Sequence, residues 1–242
     1  MANIRDGVEG AAVWAELVSY DAAASAAFYG GLLNWKLGET GFTLNKKRVA
    51  GIATGGSYWR LYLRVTDVDA ASTAAEEAGG QVYVAPPGSS LGRAVLMTDP
   101  TGAEVGALQA DSPVAFEHID AIGGPVWHEL HTDSFDRAVP FYEHVFGWAV
   151  ESMDGDDSFR MSTLGSGQEA SAGIYDAAAT LGRESSHWLH YFSVADADVS
   201  AARIAELGGT VLRGPEDTPF GRYLQATDSL GARFALMQTP ER

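Results

Sequence analysis

Residues 126–148 read VWHELHTDSFDRAVPFYEHVFGW, and residues 13–35 read VWAELVSYDAAASAAFYGGLLNW. The VWxEL opening, the FY pair and the closing tryptophan keep the same spacing in both, so one stretch is a copy of the other. Internal copies of this kind mark a fold assembled from one repeated supersecondary unit. Working outward, residues 59–109 begin WRLYLRVTDVDAA and end GRAVLMTDPTGAEVGALQ. They recur without a gap as residues 188–238, which begin WLHYFSVADADVS and end GRYLQATDSLGARFALMQ. The glycines match in pairs, Gly79 with Gly208, Gly80 with Gly209, Gly92 with Gly221 and Gly102 with Gly231. Arg93 matches Arg222, Asp99 matches Asp228 and Gln109 matches Gln238. The second copy is the longer one, with its extra residues within 149–187.

Each copy has a readable order of elements. Residues 13–19 and 126–132 alternate apolar and polar, the period of a half-buried strand. Ala138, Phe141, Tyr142, Val145 and Phe146 then recur at i, i+3, i+4, i+7 and i+8, one face of a helix. Pro140 has to stand near the start of that helix or else kink it, and Gly147-Trp148 closes it. Residues 149–176 read as two or three short strands joined by glycine-rich turns. The pattern restarts at Trp188 with a strand over 188–194 and an alanine-rich helix over about 197–207, capped by Gly208-Gly209. Strands follow near 210–213, 221–227 and 232–238. Each half-copy is therefore β-α-β-β-β, and the chain holds four such units. The division expected is a first domain over 10–110, a linker over 111–123 and a second domain over 124–240.

Composition excludes several functions. The chain has 242 residues, 46% of them hydrophobic, enough for a sizeable core. Its 32 acidic against 16 basic side chains give a net charge of −16, which repels phosphate backbones and anionic lipid heads, so neither nucleic acid nor a membrane is expected as a partner. There is no cysteine, hence no disulfide, thiolate metal site or cysteine nucleophile. MANIRDGVEG at the N-terminus carries no apolar signal segment, and no run is long enough to cross a bilayer. A soluble cytoplasmic protein is expected. No P-loop or strand-borne GxGxxG is present.

Paired βαβββ units, the WxEL and FYxxxxxW motifs, WxxYxxV and DPTGAxVG resemble the vicinal oxygen chelate superfamily, the glyoxalase, bleomycin-resistance and dioxygenase group. The likeness extends from Val13 to Gln238 and is strongest to tandem-domain actinobacterial glyoxalase-like proteins. It implies an α+β fold of two tandem domains, each a pair of βαβββ units forming a cupped mixed sheet around a cavity. Members use that cavity for a metal, a drug or a substrate. It also implies where a metal would be held. Carried onto this sequence, the ligand positions fall at Trp14 and Trp127 on the first strand and near Gly51-Ile52 and Gly173-Ile174 on the fourth. On the fifth strand they fall at Arg60 and Leu189, and on the last at Gly106 and Ala235. None of these is a His, Glu, Asp or Gln, so no metal or other cofactor is expected at the usual place.

His128, Glu129 and His131 are nevertheless the residue mix that a divalent metal uses. Strand parity separates them: Trp127, Glu129 and His131 share one face and His128 points to the other. Glu129 and His131 alone make a poor zinc site. Glu16 and Glu129, one per copy on the presumed cavity face, read either as general acid/base groups or as structural carboxylates. His131 has no counterpart in the first copy, where Val18 stands, which makes it a candidate for proton transfer or simply a cavity-lining histidine. Arg60, with Tyr62, reads either as the receptor of an anionic or carbonyl ligand or as the partner of Glu16. Trp14, Trp127 and Tyr191 offer aromatic surface for a flat ligand, with cavity filling as the other reading. Arg93 and Arg222 read as structural, Trp59, Trp188 and His190 as core, His144 as exposed and His118 as a linker residue.

Two functions stay open. One is metal-independent binding of a small hydrophobic or aromatic metabolite, in a resistance or secondary-metabolism role. The other is a tailoring isomerase, cyclase, hydroxylase or lyase acting on such a metabolite, with Glu129, His131 and Glu16 as the catalytic candidates. A monomer or a homodimer is compatible with either. The short 36–57 segment implies a shallower or partly closed first cup, which places function in the second copy.

Overall fold

In the computed structural model, residues 8–84, 92–110, 121–152, 161–164, 172–182 and 184–238 are described. The first copy contains β1 (Ala12–Ser19), α1 (Ala22–Leu33), β2 (Lys36–Gly38), β3 (Gly41–Leu44), β4 (Lys47–Thr54) and β5 (Ser57–Arg64). It continues with α2 (Val68–Glu77), β6 (Gln81–Val84), β7 (Gly92–Thr98) and β8 (Glu104–Ala110). The second contains β9 (Pro125–Thr132), α3 (Phe135–Phe146), β10 (Val150–Ser152), β11 (Met161–Leu164), β12 (Gly173–Asp176) and β13 (His187–Ser193). After these come α4 (Ala197–Glu206), β14 (Thr210–Thr218), β15 (Gly221–Thr227) and β16 (Arg233–Gln238).

Each copy forms one eight-stranded mixed sheet, in the orders β2-β3-β4-β1-β5-β8-β7-β6 and β10-β11-β12-β9-β13-β16-β15-β14. The two orders are the same list shifted by one copy. The β1/β4, β5/β8, β12/β9 and β13/β16 pairs are parallel and the other registered pairs antiparallel. The α+β class and the repeated βαβββ units stand as expected. Glycine placement follows the backbone: Gly79 and Gly208 end α2 and α4 in the left-handed region at φ 83° and 84°. The glycine after each is there for space, since a Cβ on Gly80 would lie 2.6 Å from the Thr98 carbonyl and one on Gly209 2.5 Å from the Thr227 carbonyl.

By contact density the chain divides into two compact units that each mix the copies. One comprises Met1–Trp14, Arg60–Ala115 and His128–Trp188, and the other Ala15–Trp59, Phe116–Trp127 and Leu189–Arg242. In the first, Tyr142 of α3 is fully buried. Its hydroxyl donates to Asp99 Oδ2 at 3.1 Å and accepts from Trp188 Nε1 at 3.2 Å. Trp148 Nε1 donates to the Gly10 carbonyl at 2.9 Å, and the Arg137 guanidinium donates to the Pro100 carbonyl.

The second unit repeats this chemistry with the copies exchanged. Trp59 Nε1 donates to the Tyr29 hydroxyl at 3.0 Å, and Trp35 Nε1 donates to the Gly123 carbonyl at 2.7 Å. Tyr29 faces Asp228 electrostatically, although among the described residues Asp228 Oδ2 accepts no hydrogen bond, unlike Asp99 Oδ2. Phe28 packs edge-on to Phe234, and Trp35 edge-on to Phe192. The repeated FY pair and the repeated Asp are therefore each other's partners across the duplication. Burial pushes both tyrosine hydroxyls well above their ordinary pKa, and the facing aspartate adds to the effect.

Trp59 and Trp188 are core residues, and His190 is fully buried beside Trp59. His144 is exposed, 3.7 Å from Glu77. Arg93 pairs with Asp69 of α2 and Arg222 with Asp198 of α4, at 2.9 and 2.7 Å. The matched GR pairs thus tie a strand to a helix at the surface. His118 and most of the 111–123 linker lie outside the described residues. Among the described residues no helix is long and apolar enough to cross a membrane.

Candidate functional site

β9 carries the quoted strand of the second copy, and its parallel partner β12 places Gly173 opposite Glu129 and Tyr175 opposite His131. Because side chains two apart share a strand face, Glu129 and His131 come together. His131 Nε2 lies 2.7 Å from Glu129 Oε2, and both residues are buried, 9% and 6% exposed. A carboxylate can only accept, so the imidazole donates its Nε2–H. This orients the ring and leaves Nδ1 as its basic nitrogen. The Tyr175 ring stands edge-on to His131 at 5.3 Å, and the His187 ring is tilted against it by 33° at 5.7 Å. His187 Nδ1 donates to the Ser185 carbonyl. His128, on the other strand parity, is buried, and desolvation alone pulls its pKa down to about 3. It stays neutral and takes no part in acid–base chemistry near pH 7.

In the first copy, on the same compact unit, Arg60 and Tyr62 also meet. Arg60 Nε donates to Glu104 Oε1 at 2.6 Å and its Nη1 reaches the Tyr62 hydroxyl at 3.5 Å. Burial is the largest single influence and weakens the guanidinium's hold on its proton, but the hydrogen bonds and charges of Glu104 and Tyr62 together outweigh it and raise its pKa. Trp14 is buried at the start of β1. Glu16 lies further along that strand, opposite Gly51, and is partly exposed.

On the other unit, Tyr191 joins Leu189, Tyr223 and Ala235 in a buried apolar cluster, with Val126, Trp127 and Met237 partly buried against it. The Tyr191 and Tyr223 rings stack at 5.8 Å and 28°.

Tyr223 and Glu104 were not among the residues singled out from sequence. The signal for them was the mismatch between otherwise matched positions, where Tyr223 answers Ala94 and Glu104 answers Arg233.

A model of the Glyoxalase/Bleomycin resistance protein/Dioxygenase superfamily matches residues 117–236, and one of a glyoxalase-like domain matches residues 9–108. This chain belongs to that superfamily. CFP32 of Mycobacterium tuberculosis (strain CDC 1551 / Oshkosh), named as a candidate glyoxylase, is 33% identical over 95% of each chain. The anthracycline biosynthesis protein DnrV of Streptomyces peucetius is 31% identical over 96% of this chain and 94% of its own.

Among solved structures, homoprotocatechuate 2,3-dioxygenase from B. fuscum superposes with a TM-score of 0.65 at 16% identity, covering 97% of this chain and 72% of that one. The Mn(II)-bound glyoxalase from Novosphingobium aromaticivorans superposes with a TM-score of 0.63 at 18% identity, covering 97% and 83%. At these identities the likeness is one of fold.

A metal does not fit the residues at the superfamily's ligand positions. Indoles stand at Trp14 and Trp127, a guanidinium and an isobutyl group at Arg60 and Leu189, and no donor side chain at Gly106 or Ala235. A side chain at 106 has no room, because its Cβ would fall 2.2 Å from Tyr62 Cδ1. Among the described residues no group of three or more His, Asp or Glu side chains is placed to hold a metal ion.

Proposed function

We propose that the protein binds a flat, fused-ring aromatic metabolite without a metal, and that the second copy supplies the binding wall. The observation that carries this is the stacked Tyr191–Tyr223 pair with Trp127 and Met237 partly exposed beside it. Stacked and edge-on ring contacts favour planar aromatic ligands, and a thioether adapts to irregular ones. The superfamily's ligand positions on this wall, Trp127, Leu189 and Ala235, carry apolar side chains in place of metal donors, with Trp127 partly exposed and the other two buried. The relationship to an anthracycline biosynthesis protein supports a polycyclic aromatic ligand.

The Glu129–His131 pair favours a second reading, in which a tailoring enzyme acts on such a molecule. Its carboxylate orients the imidazole and would stabilise the imidazolium formed when Nδ1 accepts a proton.

One experiment addresses both readings: native mass spectrometry of the protein purified without chelator, followed by fluorescence titration with 1,8-dihydroxyanthraquinone. Binding that is unchanged by EDTA, and weakened about tenfold or more in Trp127→Ala and Tyr223→Ala, is expected. A stoichiometric metal whose removal abolishes binding would overturn the metal-free reading. Turnover of an aromatic polyketide that is lost in Glu129→Gln and His131→Asn, with binding retained, would establish the enzyme.

A further inference from the structure

Tyr62 and Gly106 are register partners on the parallel strands β5 and β8, and Tyr191 and Ala235 are the matching partners on β13 and β16. The two pairs differ by one methyl group. A Cβ on Gly106 would lie 2.2, 2.5 and 2.9 Å from Cδ1, Cε1 and Cγ of Tyr62, distances that real Cβ atoms do not show. The Tyr62 ring therefore occupies the space of the residue-106 side chain. Gly106 is not one of the left-handed glycines, so the ring alone accounts for its being a glycine.

Tyr62 is further held from its polar end. Arg60, fixed by Glu104, directs Nη1 at the Tyr62 hydroxyl. Tyr62 and Tyr191 are equally buried, but Trp14 of the first copy is buried where its counterpart Trp127 is partly exposed. In the second copy Arg60 is answered by Leu189 and Glu104 by Arg233, so this clamp has no equivalent pair. The Ala235 methyl forbids Tyr191 the pose that Tyr62 takes. Tyr191 stacks on Tyr223 instead, and the first copy has only Ala94 at that position.

We infer that the methyl group at the last-strand position decides which copy accepts a ligand. The first copy is closed by its own Tyr62, the second is held open by Ala235, and the chain takes one aromatic ligand. The inference rests on the binding function proposed above and adds its stoichiometry and the residue that sets it.

The test is isothermal titration with 1,8-dihydroxyanthraquinone of wild type, Gly106→Ala, Tyr62→Ala and Ala235→Gly. One ligand per wild-type chain is expected, with a second gained in Gly106→Ala. Tyr62→Ala empties the same space without crowding it and is expected to gain the second ligand even if Gly106→Ala folds poorly. Ala235→Gly lets Tyr191 turn over residue 235 and is expected to weaken binding by tenfold or more. Two ligands per wild-type chain, or one in every variant, would overturn the inference.

Failure of the wild type to bind the probe counts against the proposed function alone. Crystal structures of Gly106→Ala and Ala235→Gly then decide the methyl switch. A displaced Tyr62 ring in the first and a Tyr191 ring lying over residue 235 in the second support it, and unmoved rings refute it.

Discussion

His128 and Glu129 are neighbours on one strand with opposite fates. Glu129 finds the His131 imidazole, whereas His128 is buried where desolvation holds its pKa near 3. In the unfolded chain a histidine titrates near 6.5. Between these values the unfolded state binds a proton that the folded state refuses, so this group's stability contribution is complete above about pH 6.5 and is lost as pH falls. The slope is up to about 1.4 kcal/mol per pH unit. Asp99 and Asp228 act in the opposite sense. Burial raises both, against the N–H groups of Ala103 and Ala232 that bond them, so their protonation on acidification favours the folded state. His128→Gln is therefore expected to flatten the fall in unfolding free energy between pH 6.5 and 5. Urea denaturation at each pH measures it, and an unchanged slope would show that His128 is protonated in the folded protein.

Among the elements, α1 and α3 are copies with different internal quality. Asp21 caps α1, accepting from the Ala23 and Ala24 amides at 3.1 and 2.9 Å. Ser134 stands at the corresponding end of α3 and makes no side-chain capping bond. Pro140 lies inside α3, past the first turn, where its missing N–H costs a helical hydrogen bond; Ala27 occupies the matching position in α1. What holds α3 is its buried face of Phe135, Ala138, Phe141, Tyr142, Val145 and Phe146. Pro140 is exposed, so Pro140→Ala removes no packing. It is expected to stabilise the fold by about 1–2 kcal/mol, the regained helical bond and relieved clash outweighing the larger unfolded-state entropy. Thermal and urea melts check the sign, and a loss of stability would mean that the helix accommodates the proline without strain.

For the whole molecule, the division of the compact units matters more than that of the copies. Each unit draws on both halves of the duplication, and each buries a Trp–Tyr hydrogen bond with the tyrosine facing an aspartate of the other copy. A single copy produced alone exposes the apolar helix faces and leaves its buried aspartate without the tyrosine it faces. Residues 121–242 alone are expected to dimerise or aggregate, and co-production with residues 1–120 to restore a soluble one-to-one complex. Size-exclusion chromatography with light scattering reads this directly. A stable monomeric half would show that the cross-copy contacts are dispensable.

The duplication, the order of elements, the helix face of α3 and the family were legible in the sequence because they rest on local periodicity and on matched spacing. So was the shared strand face of Glu129 and His131, which parity dictates, though their hydrogen bond was not. Three features were decided only in three dimensions. They are the pairing of Tyr142 with Asp99, the clamp of Arg60 and Glu104 on Tyr62, and the ring of Tyr62 in the space of Gly106. Each joins residues dozens of positions apart, on strands and helices whose neighbours are set by sheet order. The repeat shows that Gly106 and Ala235 correspond; which ring the missing methyl admits depends on the packing of β5 against β8.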